Sequence, residues 1–119
     1  MNLQEFYQSA GGNASDTVAR LGGNEEIVRK FLTKFPSDTS FAELVRSLDS
    51  GDTQTAFRMA HTLKGIAANL GLETLFNRAS AVTEFLRSGE CMPAKNAMPE
   101  LSAEYSRVTK LIENLTGAV

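Results

Sequence analysis

Residues Ala60 to Gly71 read AHTLKGIAANLG, and the alternation of small, apolar and polar side chains in this stretch decides the fold. Placed at roughly 100° per residue, Met59, Leu63, Ile66 and Leu70 share one face of a helix, with Ala56, Ala60 and Ala67 along its flank. That face is expected to build a core. His61, the chain's only histidine, falls almost opposite, close to Lys64, Gly65 and Ala68 on successive turns. A mid-helix glycine costs roughly 1 kcal/mol relative to alanine, so Gly65 on the outer face needs an offsetting use. Close approach by another molecule to a side chain one turn away is the expected use, because glycine leaves the helix surface bare. Ala68 extends the cleared strip.

Helix signals continue on both sides. Asp49, Gly51 and Asp52 form a turn, with Asp52 or Thr53 capping the His61 helix. That helix runs to about Leu70 and stops at Gly71, a glycine in the position just past a helix end. The turn is short, so the next helix is expected to return antiparallel, with Leu72, Leu75, Ala79, Val82 and Leu86 as its seam and Gly89 as its close. Upstream, Asn24 caps a helix with Glu25 and Glu26 in its first turn. Its stripe of Ile27, Val28, Phe31, Leu32 and Phe35 reaches Pro36, then resumes as Phe41, Leu44, Val45 and Leu48, shifted by about a third of a turn. A kink at Pro36 and two separate helices both explain the shift.

Residues 1 to 23 read as two short helical pieces. Leu3, Phe6 and Tyr7 make one apolar patch, Gly11 and Gly12 interrupt it, and Val18 and Leu21 make another before Gly22 and Gly23. These pieces are expected to cover an end of the bundle. After a loop around Cys91 and Pro93, Met98, Leu101, Tyr105, Val108, Ile112 and Leu115 predict a long closing helix, with Pro99 in its first turn or at a kink. Strand-like alternation is absent throughout. The fold class is therefore all-α: an antiparallel four-helix bundle with one or two short additional N-terminal helices.

The 119 residues are expected to form one domain spanning 1–119; 42% are hydrophobic and 22% charged, enough for one modest core. A net charge of −2, with no basic cluster longer than two residues, argues against a nucleic-acid partner. No apolar run approaches membrane length and the polar N-terminus carries no apolar leader, so the expectation is a cytoplasmic protein without a membrane partner. Cys91, the single cysteine, reads as a spectator. Four mutually satisfying seams favour a monomer.

The segment AHTLKGIAANLG resembles the signature of histidine phosphotransfer (HPt) domains, His-x-x-Lys-Gly followed by small residues. The likeness extends to LGGNEEIVRKFLTKF before it and the antiparallel helix after it, covering roughly residues 16–115, with 1–15 as a variable extension. The resemblance implies a phosphorelay intermediate that accepts a phosphoryl group from an aspartyl phosphate on a response-regulator receiver domain and passes it to another receiver. A sensor or hybrid histidine kinase stands upstream in such a relay. On this pattern His61 is the phosphoacceptor, Lys64 stabilises phosphoryl charge, and Gly65 lets the partner come close. Neutral imidazole, with an ordinary pKa near 6.5, is nucleophilic near neutral pH and forms a labile phosphoramidate. No Walker-type loop and no acidic Mg²⁺ cluster is recognisable, so the chain is expected to be a phosphocarrier rather than an enzyme, without cofactors of its own. The receiver would bring Mg²⁺ and the catalytic acids.

Many family members place a glutamine on the neighbouring helix to orient the histidine. Antiparallel counting through Gly71 brings residues near 81–83 level with His61, and no glutamine stands there. Thr83 is the nearest suitable group, with Ser80 second; its hydroxyl can accept from an imidazole N–H. Docking is expected on the outer face, with Phe57 either an exposed anchor or tucked beneath a neighbouring helix. Arg58, Ala68 and Asn69 complete that face. Two alternatives stand beside this reading: a helical adaptor without chemistry, and a module phosphorylated directly by a kinase acting in trans.

Overall fold

Asparagine caps open the first three helices. In the computed structural model, which describes residues 1–116, the Oδ1 atoms of Asn2, Asn13 and Asn24 accept from the backbone N–H groups of Glu5, Asp16 and Glu26 at 2.8, 3.0 and 2.8 Å. Each satisfies a donor that the first helical turn leaves free. They start α1 (Leu3–Ala10), α2 (Ala14–Arg20) and α3 (Glu25–Lys34). A 3₁₀ turn at Phe35–Ser37 follows, and the extended backbone of Asp38 separates it from α4 (Ser40–Ser50). Two helices, not one kinked helix, therefore flank Pro36. Asp52 opens α5 (Thr53–Asn69) by accepting from the Thr55 N–H at 3.1 Å. The helices α6 (Glu73–Arg87) and α7 (Cys91–Thr116) complete the chain, and no strand occurs among the described residues.

Gly71 makes the reversal from α5 to α6 possible, because its φ of 70° is a left-handed conformation that side chains resist. α5 lies between α4 and α6, α6 between α5 and α7, and α3 packs back on α7. The result is an all-α bundle whose first arm is divided at Pro36.

The core follows a different line along α5 from the one expected. Ala56, Ala60, Leu63, Ala67 and Leu70 are buried, whereas Met59 and Ile66 are only half-buried. The inward meridian is mostly alanine, and small side chains let α4 and α6 approach the α5 backbone closely. On α3 only Val28 and Leu32 are buried; Ile27 and Phe31 stay 38% and 46% exposed, because this short helix has few neighbours to cover its whole stripe.

The region around Cys91 and Pro93 is a second correction. It is the first turn of α7, not a loop, since proline is suited to a helix start where its missing N–H has no intrahelical acceptor. Ala94 in that turn is fully buried, and Pro99 lies inside the helix.

The two N-terminal helices close one end of α5, as expected. Leu3, Phe6, Tyr7 and Ala10 join the core. The Tyr7 hydroxyl donates to the Leu70 carbonyl at 2.6 Å, and the Arg20 guanidinium donates to the carbonyls of Ala68 and Asn69, each at 3.1 Å. Carbonyls at the C-terminal end of α5 thereby gain side-chain donors, one of them a cation at the negative end of the helix dipole, although the Ala68 carbonyl also accepts from the Gly71 N–H at 3.2 Å.

Candidate functional site

α5 presents two unlike faces. Its inner line packs as described, while His61, Gly65 and Ala68 are exposed and Lys64 is half-buried between them and the core. A Cβ built on Gly65 meets no atom within 4 Å, so nothing inside this chain requires glycine there. The bare strip beside His61 is thus an open feature of the outer surface. Among the described residues no hydrogen bond or ion pair engages the His61 ring or the Lys64 ammonium, which leaves both free for a ligand.

Among the described residues His61 makes one ring contact, with Phe57, a turn earlier on α5. The centroids are 6.0 Å apart and the planes 21° from parallel. Phe57 is half-buried and packs against the core, and the Arg87 guanidinium of α6 lies over its ring at 5.1 Å. Arg87 in turn pairs with Glu84 at 3.3 Å. Phe57 is therefore not a bare aromatic knob; α6 covers it with a cation.

The other outer-face residues divide. Arg58 is exposed and donates to the Thr55 hydroxyl at 3.3 Å, toward the start of α5. There the Thr55 hydroxyl and N–H hold the Asp52 carboxyl below its ordinary pKa. The Asn69 side chain is exposed, while its carbonyl is engaged by Arg20. The structure groups His61, Lys64, Gly65 and Ala68 on one strip, with Phe57 at its edge and Arg58 and Asn69 toward its two ends.

Thr83 does not join that group. Antiparallel counting places it on the right level, but it is fully buried in line with Ala79, Val82 and Leu86, and its hydroxyl donates to the Ala79 carbonyl at 2.7 Å. Its hydrogen is committed within α6, and no bond links it to His61. The Ser80 Oγ is enclosed and has no hydrogen-bond partner among the described residues. Sequence reasoning passed over Arg87 and Glu84. The counting that paired position 61 with 83 also pairs 57 with 87, so the signal for Arg87 was available.

Among the described residues no group of three or more His, Cys, Asp or Glu is arranged to hold a metal ion, and no helix is long and apolar enough to cross a membrane. In comparison with known proteins, the family model described as Hpt domain matches residues 26–115. No curated protein and no solved structure gives a significant match.

Proposed function

The chain belongs to the Hpt domain family, whose members carry phosphoryl groups on histidine in phosphorelays, and from this premise we propose that His61 is the phosphoacceptor of a relay carrier working between two response-regulator receivers. An unprotonated imidazole nitrogen attacks the phosphorus of a receiver aspartyl phosphate. The N–P bond forms as the P–O bond to the aspartyl carboxylate breaks, and the carboxylate leaves with the electron pair. The next receiver reverses the step.

The observation that carries this reading is His61, exposed and free of hydrogen bonds and ion pairs among the described residues, beside a strip that is bare at Gly65. In-line transfer needs the donor phosphorus close to the ring nitrogen. Glycine one turn away lets a partner surface approach that nitrogen, and Lys64, three residues beyond His61 on the same helix, serves on this reading to neutralise phosphoryl oxygens as a point charge. Acidic groups and Mg²⁺ belong, on this reading, to the receiver. The carrier works as a monomer in the cytoplasm and contributes a nucleophile and a landing surface, with no ATP chemistry of its own.

Incubation with a ³²P-labelled receiver and Mg²⁺ tests the assignment. Wild type should acquire acid-labile label and His61→Gln should acquire none. An unlabelled wild type, or equal label on the variant, would overturn it.

A further inference from the structure

Something must orient the His61 imidazole, and the hydroxyl best placed by sequence does not. Thr83 is buried and bonded to Ala79, and no hydrogen bond holds the ring. An exposed side chain held by nothing changes rotamer within picoseconds to nanoseconds, whereas attack on phosphorus requires the ring nitrogen in line with the bond that breaks.

We infer that Phe57, clamped by Arg87, is the positioning residue for His61 and orients the imidazole by ring stacking. Three observations meet in this assignment, which rests on His61 being the phosphoacceptor. Positions 57 and 61 are one helical turn apart, where side chains meet on the surface. The ring separation of 6.0 Å and angle of 21° lie within the offset-stacked range in which aromatic pairs prefer a defined mutual orientation. Phe57 is itself fixed: its inner side packs against the core, and Arg87 sits 5.1 Å from its centroid, within cation–π range. The Glu84 carboxylate holds the Arg87 Nε at 3.3 Å, so the clamp has a second anchor on the same turn of α6. Orientation thus passes from α6 through Phe57 to His61, without a hydrogen bond to the ring that would have to break as the nitrogen changes its charge.

This differs from a docking role for Phe57, and kinetics separate the two. Phe57→Leu keeps an apolar side chain at a half-buried site but removes the stacking face. Transfer from a phosphorylated receiver should lose about tenfold or more in kcat with KM unchanged, while labelling of His61 by phosphoramidate, which can approach a freely rotating ring, should proceed as in wild type. Phe57→Tyr should restore transfer to near the wild-type rate. The ³J couplings of His61 should report one χ1 rotamer in wild type and averaged rotamers in Phe57→Leu. Arg87→Gln, a surface change that leaves the core intact, should move the couplings in the same direction. Unchanged kcat in Phe57→Leu, a rise in KM with kcat intact, a Tyr variant as slow as the Leu variant, or unaltered His61 couplings in both Phe57→Leu and Arg87→Gln would each overturn the positioning role. Failure of wild type to label with phosphoramidate would instead sink the phosphoacceptor reading beneath it.

Discussion

Replacing Gly65 should raise stability and lower activity together, an opposition that few other mechanisms produce. Gly65 keeps helical backbone in the middle of α5, and an added Cβ there meets nothing within 4 Å. Gly65→Ala therefore creates no internal clash and gains the helix propensity that glycine forfeits, about 1 kcal/mol. For a chain of this size that raises Tm by roughly 4 °C. On the proposed function, the same methyl group stands on the strip where a receiver lies. A displacement of about 1 Å at the reacting atoms can cost on the order of 100-fold in rate, or about 2.7 kcal/mol of activation free energy. Gly65→Ala should thus transfer ~10- to 100-fold more slowly from a receiver, and Gly65→Gln, with a longer side chain and similar stability, more slowly still. Thermal unfolding by circular dichroism gives the first quantity and rapid-quench phosphotransfer the second. Labelling by phosphoramidate should be unaffected, since so small a donor needs no cleared surface. Wild-type transfer rates in both variants would refute the clearance argument, and a lower Tm would refute the claim that the space around Gly65 is open.

Two further expectations concern the scaffold. Burial pushes the Tyr7 phenol up to about 12, against the opposing influence of the Thr17 hydroxyl and the Arg20 guanidinium. A pKa raised on folding means that the neutral form is favoured in the native state. The associated stability is complete below pH 10 and is lost as pH climbs from 10 toward 12, on the order of 2–3 kcal/mol in all. Urea unfolding between pH 8 and 11.5 should show this decline, and Tyr7→Phe should flatten it; Tyr105, raised by burial and by Asp38, leaves a smaller residual slope. An equal slope in the variant would contradict the assignment. Arg107 grips the buried Glu104 carboxylate with bonds of 2.9 and 2.8 Å and donates to the Ser9 carbonyl at 2.7 Å, tying α1 to α7. Arg107→Ala strands that carboxylate and should cost about 1–3 kcal/mol, part of which Glu104→Ala should recover in the double variant; strict additivity of the two losses would refute the coupling.

The parts of the fold that were legible in the sequence are those decided within a turn or two. Asn24 and Asp52 act as caps because their oxygens reach the first-turn N–H groups whatever else is nearby, and Gly71 ends α5 because the reversal needs a positive φ. What escaped depends on neighbours. Periodicity ranked Met59 and Ile66 above the alanines because it weighs hydrophobicity, whereas close packing of three helices selects small volume, so Ala56, Ala60 and Ala67 occupy the centre. Pro93 suggested a loop because proline signals both breaks and helix starts, and only the burial of Ala94 against the bundle separates the two. At the site, the exposure of His61 and Gly65 followed from counting around the axis. The fate of Thr83 did not, because counting along antiparallel helices gives a level but not a direction.

The same division explains why α5 tolerates its glycine. A helix with a glycine at mid-length is locally weak, yet on the proposed function the histidine beside it must not wander. The alanine meridian brings α4 and α6 tightly against the inner side, and Tyr7 and Arg20 hold the carbonyls at its C-terminal end. Those last two residues lie upstream of the matched span, which begins at position 26. The N-terminal pieces are therefore not an appendage to the bundle: they secure the end of the helix that carries His61, whose outer face is left free of packing.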